Sequence, residues 1–294
     1  MNRRAFLSGG LALLMVGCGP RRNRIAIGTK NFTEQLILGE MLAQVIEREA
    51  SLPVERRFYL AGSYICQQAI LAGRIDMYVE YTGTALTAIL KNSPQSDRNA
   101  VFQVVKNEYR RRFGLEVLPS LGFDNSFAMV MRGDDSQRFN LRSLSDLARF
   151  APKMRMGVGY EFLERPDGYS GLIKTYGLNF AEPPRVMDLG LLYRALESKQ
   201  VDVVAGSNTD GLIAALGLVV LEDDRHYFPP YEAVPIVRPL VLQQHPSIST
   251  ALSMLLGRIT AEDMRNLNYA VDGEKKDAQQ VVSQFLENKL FKHR

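Results

Sequence analysis

The sequence predicts an α/β protein made of parallel sheets covered on both faces by helices. Three observations predict it. From residue 24 onward, short β-like runs alternate with helical patterns, the order that parallel sheets require. The chain has 294 residues, enough for two lobes of ordinary size. Finally, Ala69-Ile70 and Ile75-Asp76-Met77 line up with Ala195-Leu196 and Val201-Asp202-Val203 at a constant offset of 126 residues, as two similar units would. Two such units facing each other place the turns at Tyr81 and Ser207 opposite one another, at the carboxyl ends of strands, where ligands of α/β sheets bind.

The elements follow in order. Arg24 to Gly28 reads as a strand, and Asn31 as a helix cap with Glu34 as its reciprocal partner. The helix that follows carries Leu36, Ile37, Met41, Leu42, Val45 and Ile46 on one face. Val54 to Leu60 is a strand, Ser63 to Ala72 a helix, and Ile75 to Val79 a strand; Tyr81-Thr82-Gly83-Thr84 is a turn before a helix from Ala85 to Leu90. A polar loop covers Ser93 to Arg98. Further on, strands are expected at Met154 to Val158, around Val186, at Val201 to Ala205 and at Leu218 to Leu221. Helices are expected at Tyr169 to Tyr176, Leu189 to Ser198 and Asp210 to Leu216. Pro229-Pro230-Tyr231 cannot be regular structure, because consecutive prolines lack ladder donors. Pro246 to Lys292 reads as helical throughout.

The N-terminus is an address. Arg3 and Arg4 precede an apolar stretch ending at Val16, and Gly17 stands directly before Cys18. The stretch is too short for a permanent membrane helix, which needs about 20 residues. Arg3-Arg4-Ala5-Phe6-Leu7 resembles a twin-arginine export motif, with Asn2 where Ser or Thr is usual, and Met15-Val16-Gly17-Cys18 is similar to a bacterial lipobox. These resemblances imply an export signal over residues 1–18, lipidation of Cys18, and a protein tethered to the membrane facing the periplasm or the cell exterior. Without Arg3 and Arg4 the basic residues fall from 36 to 34 against 32 acidic ones, so the processed chain is nearly neutral. Cys66, in an apolar helical stretch, reads as an inert buried thiol.

Composition excludes several classes. No run of five or more Lys/Arg occurs, which gives no footing for nucleic acid. Two cysteines make no disulfide framework, and His226, His245 and His293 lack metal-ligand spacing, so no metal is expected. There is no G-x-S-x-G elbow, no phosphate loop and no dinucleotide fingerprint; Gly157-Val158-Gly159 is a lone G-x-G. The acids Asp76, Glu80, Asp202 and Asp210 read as caps and turn residues rather than catalysts. Neither catalytic residue nor cofactor is expected.

Four stretches are distinctive: Gly28-Thr29-Lys30-Asn31-Phe32-Thr33-Glu34-Gln35, Val79-Glu80-Tyr81-Thr82-Gly83-Thr84-Ala85-Leu86, Phe162-Leu163-Glu164-Arg165-Pro166-Asp167-Gly168 and Phe228-Pro229-Pro230-Tyr231. With them the sequence resembles the glycine betaine/choline/carnitine substrate-binding proteins of osmoprotectant ABC importers, from about residue 24 to the C-terminus. The resemblance implies a two-lobed, periplasmic-binding-protein-like fold (type II) crossed twice by the chain, near Asn125 and Phe228. Lobe 1 is then 24–125 plus 229–294, and lobe 2 is 126–228.

It also implies a monomer that takes a small quaternary-ammonium or zwitterionic ligand and works with a permease and its ATPase. Carried over by motif, Lys30, Thr84 and Arg165 match carboxylate-binding positions, and Tyr81 and Tyr231 match tyrosines of a cage around the ammonium. Phe127 and Ser207 stand where the family has two further cage tyrosines. Phe127 keeps an aromatic face, whereas Ser207 removes a wall and leaves room for a bulkier betaine-like solute. Tyr64, Tyr78, Tyr160, Tyr193 and Tyr227 read as packing or rim residues. The competing classes are an exported enzyme on the same fold and the effector domain of a transcriptional regulator. The export signal argues against both.

Overall fold

The structure, a computed structural model, describes residues 24–292. The expected export signal and the lipidated Cys18 lie outside the described residues. Among the described residues ten strands form two five-stranded sheets. The first contains β1 (Ile25–Gly28), β2 (Val54–Arg57), β3 (Met77–Tyr81), β4 (Glu116–Val117) and β10 (Ala233–Val237), in the order β2-β1-β3-β10-β4. The second contains β5 (Phe127–Arg132), β6 (Met156–Val158), β7 (Arg185–Val186), β8 (Val203–Ser207) and β9 (Leu218–Leu221), in the order β7-β6-β8-β5-β9.

The chain therefore passes from the first sheet to the second after β4 and returns before β10. The two passing segments lie side by side: Asp124 bridges Glu232, and the Asn125 N–H donates to the Tyr231 carbonyl at 3.0 Å.

Neither sheet is purely parallel, which corrects the expectation. β1 runs parallel to β2 and β3, and β6 parallel to β7 and β8, but β10 is antiparallel to β3 and β4 while β5 is antiparallel to β8 and β9. The antiparallel strands are the ones that enter from the passing segments, so no crossover helix precedes them. Within β10, Pro235 is tolerated because its carbonyl accepts from Leu118 N–H on the side of the two-residue strand β4. Its missing donor is therefore lost from that side and not from the ladder with β3.

Every residue of β3 is buried, because helices cover both faces of the first sheet. Met77, Val79 and Tyr81 pack with Ile37, Leu38 and Met41 of α1 (Thr33–Val45); Tyr78 packs on the other face with Ile70 of α2 (Ser63–Leu71) and with Tyr109. That alternation is the two-residue period of a strand. Met129 and Met131 against Ala128 and Val130 repeat it in the second sheet.

The sequence repeat is structural. α2 and β3 have counterparts in α3 (Leu192–Glu197) and β8, with helix ends and strand ends displaced by 126 residues. Gly73 and Lys199 both take left-handed backbone, at φ +64° and +58°. Asp76 accepts from Ala26 N–H at 2.9 Å and from Arg238 at 3.1 Å; Asp202 accepts from Arg155 N–H at 2.9 Å and from Arg132 at 2.8 Å. These two acids stop the preceding turn and hold the neighbouring strand. The strands accordingly begin at Met77 and Val203, after the acids, and end on Tyr81 and Ser207, two residues later than expected.

Three local expectations are corrected. Asn31 does not cap α1, which begins at Thr33 after Phe32 with no side-chain cap, because Glu34 is turned inward to other partners. Thr82–Thr84 is helical rather than a turn and runs into a π-helix over Ala85–Ile89. The C-terminal region is interrupted between Pro246–Ser253, α4 (Ala261–Asp272) and Ala278–Leu286, the last of which runs on into Glu287–Phe291. Gly257, at φ +68°, and a Thr260–Asp263 capping box start α4 afresh. No helix among the described residues is long and apolar enough to cross a membrane. Cys66 is buried, and burial pushes its thiol up to about 12.

Candidate functional site

The carboxyl ends of β3 and β8 face each other, and the seven residues singled out from the sequence gather there in two linked groups. The first group is built around Arg165. Its guanidinium is buried, donates from Nε and Nη2 to Asp167 at 2.9 and 2.5 Å, and from Nη1 to the Thr84 hydroxyl at 2.8 Å. The last bond joins the half that carries the second sheet to the half that carries the first. Tyr231 donates its hydroxyl to Asp167 at 2.5 Å.

Phe127, the first residue of β5, lies edge-on to Tyr231 at 5.5 Å and to Phe162 at 4.8 Å. The Arg165 guanidinium stands 4.8 Å from the Phe127 ring centre and 5.6 Å from that of Tyr231. Burial would raise the Asp167 carboxyl, but the adjacent Arg165 charge holds it below its ordinary value.

Local sequence explains this placement. Thr82 accepts from Glu232 N–H and donates to the Pro230 carbonyl, both at 3.0 Å, which fastens the end of β3 to the proline segment carrying Tyr231. Gly83 is required where the helix start passes that ring, because a Cβ would come within 2.7 Å of it.

The second group is built around Tyr81, the last residue of β3. Its hydroxyl donates to Glu34 Oε1 at 2.6 Å and accepts from Gln35 at 3.1 Å. The Lys30 ammonium stands 4.6 Å from the Tyr81 ring centre and is paired with the fully buried Glu80. Glu34 also accepts from Asn125 and Thr209, each at 2.5 Å, and from Asn268 of α4 at 3.3 Å. Burial pushes its carboxyl up, against the four donors that pull it down. Ser207, which pairs with Phe127 across the strands, donates to Asn125 Oδ1 and lies 2.9 Å from the Thr209 hydroxyl. Its backbone N–H donates to Asp210, which also takes the Tyr193 hydroxyl.

Two features were not read from the sequence. Both cations of the site are already paired, Lys30 with Glu80 and Arg165 with Asp167. In addition, Glu34, Asn125, Thr209 and Asn268 form a polar link between the halves. Asp167, Asn125 and Thr209 each stand two residues from a singled-out position (Arg165, Phe127 and Ser207), and that proximity is the signal that could have found them. Asn268, on a distant helix, left none. Among the five tyrosines read as packing or rim, Tyr78 and Tyr193 are buried, and Tyr160 is 66% exposed.

Two α/β halves joined by two side-by-side segments, with a polar and aromatic seam between them, make a two-lobed, periplasmic-binding-protein-like fold of type II. The family is shown by comparison: the chain belongs to the family described as the substrate binding domain of ABC-type glycine betaine transport systems, whose model matches residues 23–288. A carnitine transport binding protein of Listeria monocytogenes is 34% identical over 277 residues, covering 93% of this chain and 89% of that one. An ergothioneine transport permease/ergothioneine binding protein of Helicobacter pylori is 34% identical over 264 residues, covering 90% of this chain and 47% of that one. Among solved structures, a glycine betaine/carnitine/choline ABC transporter protein aligns with a TM-score of 0.74 at 33% identity, covering 90% of this chain and 98% of that chain.

Proposed function

We propose that this protein captures a quaternary-ammonium osmoprotectant of the glycine betaine, choline or carnitine type between its lobes and delivers it to an ABC permease. The observation that carries the reading is the junction of Arg165 with Thr84 beside the Phe127–Tyr231 ring pair, four separated motif positions meeting across the two halves. A trimethylammonium group donates no strong hydrogen bond, so aromatic faces are its available partners, each worth roughly 0.5–2 kcal/mol. Tyr81, Phe127 and Tyr231 supply those faces. A ligand carboxylate, where there is one, takes the place of the Thr84 hydroxyl on Arg165 or shares it. Lobe 1, comprising 24–125 and 229–294, contributes Lys30, Tyr81, Thr84 and Tyr231; lobe 2, residues 126–228, contributes Phe127, Arg165 and Ser207.

A ligand held from both sides shifts the protein toward the closed form. Calorimetric titration with glycine betaine, choline and carnitine is expected to detect binding, and small-angle scattering to show a smaller radius of gyration at saturation. No heat with any of the three, or an unchanged radius with one that binds, would sink the proposal. Ser207, where the family has a tyrosine, favours a second reading: a bulkier betaine-like zwitterion, such as the ergothioneine named for the Helicobacter pylori relative. Tighter binding of ergothioneine than of the three smaller solutes would decide for it.

Anchoring belongs to the same proposal. Cys18 after Gly17 and the apolar stretch is taken as the lipidated first residue of the exported chain. Cys18→Ala is expected to move the protein from the membrane pellet to the soluble extracytoplasmic fraction. An unchanged pellet would mean another anchor.

A further inference from the structure

We infer that Glu34 is the counter-ion for the cationic end of the bound solute and biases the site toward ligands of net positive charge. The inference rests on the quaternary-ammonium reading above and concerns a residue that the motif carry-over did not include. It begins with a balance of charge. The seam holds two cations and four carboxylates: Lys30 is matched by Glu80 and Arg165 by Asp167, which leaves Glu34 and Asp210. Burial pushes the Asp210 carboxyl up to about 7, so that Glu34 is the one left to carry an unmatched charge. Among the described residues no Lys, Arg or His lies within ion-pair distance of it. Its four partners are the Tyr81 and Thr209 hydroxyls and the Asn125 and Asn268 amides, all neutral.

The directions of these bonds matter. All four groups act as donors, so the lone pairs of Glu34 are arranged for the ionised form. A protonated acid would need an acceptor among them. The Asn125 carbonyl is occupied by Ser207, and the Tyr81 hydroxyl already accepts from Gln35. Four neutral donors satisfy the geometry of a buried carboxylate but leave its charge unmatched, and an unmatched buried charge is costly.

A quaternary ammonium is the complement of this arrangement. It brings a full positive charge and no N–H, so it does not compete for lone pairs that are already taken. A primary ammonium would need acceptors of its own. One further oxygen suits the same ion: Asn268 Oδ1, on the amide that donates to Glu34, is buried without a donor, and its dipole attracts a cation without requiring a hydrogen bond. The position is also right. Glu34 holds the hydroxyl of Tyr81, a proposed cage wall, and reaches Ser207 through Asn125 and Thr209.

The experiment compares three ligands of related shape: choline (net charge +1), glycine betaine (net charge zero) and 3,3-dimethylbutan-1-ol, the uncharged carbon isostere of choline. Titrations use the wild type, Glu34→Gln and Glu34→Asp. In the wild type, choline is expected to bind more tightly than betaine. Glu34→Gln is expected to weaken choline by about 30-fold or more and to change the isostere by no more than about threefold. Glu34→Asp, which keeps the charge, is expected to recover most of the choline affinity. Equal losses for choline and the isostere in Glu34→Gln would mean that Glu34 only shapes the seam, and an unchanged choline affinity would overturn the inference outright. Should Glu34→Gln fail to fold, the wild type still tests it, because betaine binding more tightly than choline contradicts the net-charge bias. A wild type that binds no quaternary ammonium at all overturns the functional reading beneath it, a different result from wild-type binding that ignores Glu34.

Discussion

Arg165→Ala is expected to destabilise the protein by about 3–5 kcal/mol, more than the loss of a single ligand contact would cost, because it strands a charge. Asp167 is fully buried, and both of its oxygens face the Arg165 fork; the neutral Tyr231 and Thr87 hydroxyls would remain, with no cation to match the charge. The guanidinium also fills the space beside the Phe127 and Tyr231 rings, so the truncation opens a cavity as well. A fall in melting temperature on the order of 10 °C follows for a chain of this size. The double variant Arg165→Met/Asp167→Asn removes both charges and keeps the volume, and should recover most of the loss, since replacing a buried pair by neutral groups is often close to neutral. It should not recover carboxylate-bearing ligands, because the donor on Thr84 is gone. Thermal and urea denaturation of the two variants separates stability from binding. An Arg165→Ala protein that melts with the wild type would show that the pair is not desolvated in solution.

Much of this architecture is legible in the sequence wherever periodicity and punctuation agree. The helix Tyr169–Tyr176 and the strand Leu218–Leu221 were read to the residue, since each is a short apolar pattern with a glycine beside it. The repeat at 126 residues was legible because the same helix-to-strand step, with the same acid closing the turn, was built twice. What escaped was long-range. β5 and β10 are apolar runs whose strand character depends on partners about 75 and 155 residues away, and Pro235 hides the second of them. The candidate site divides in the same way. Lys30, Tyr81, Thr84, Arg165 and Tyr231 could be carried over by motif. That Lys30 and Arg165 would each meet a carboxylate could not, because an Asp two positions on in a loop is as often solvated as paired. Glu34 was read as a helix-capping residue, the commonest local role at that spacing. Only the fold brings Thr209 and Asn268, 175 and 234 residues away, to meet it.

A second large effect is expected with pH, through Asp210. Burial pushes its carboxyl up to about 7, the nearby charges of Glu34 and Asp272 act in the same direction, and the Tyr193 hydroxyl and Ser207 N–H act against them. The folded protein therefore holds a proton that the unfolded chain, titrating near 3.8, has already released. Between those values the native state binds more protons than the unfolded one, so stability falls as pH rises from about 4 to about 7 and levels off above. The full shift corresponds to about 4 kcal/mol, and partial access of water to the end of β8 makes about 2–4 kcal/mol the working expectation. Burial raises Glu34, Asp124, Asp272 and Glu232 in the same direction, whereas Asp167, Asp202 and Asp263 are lowered and lose their contribution only in stronger acid. Asp210→Asn keeps an acceptor for the Ser207 N–H and removes the ionisation. It should therefore be more stable than the wild type at pH 8, little different at pH 5, and flatter between them. Urea midpoints at the two pH values measure the slope directly. If Asp210→Asn kept the wild-type slope, the proton would belong to another carboxyl, and Asp272, raised by burial in the same direction, would be the next to replace.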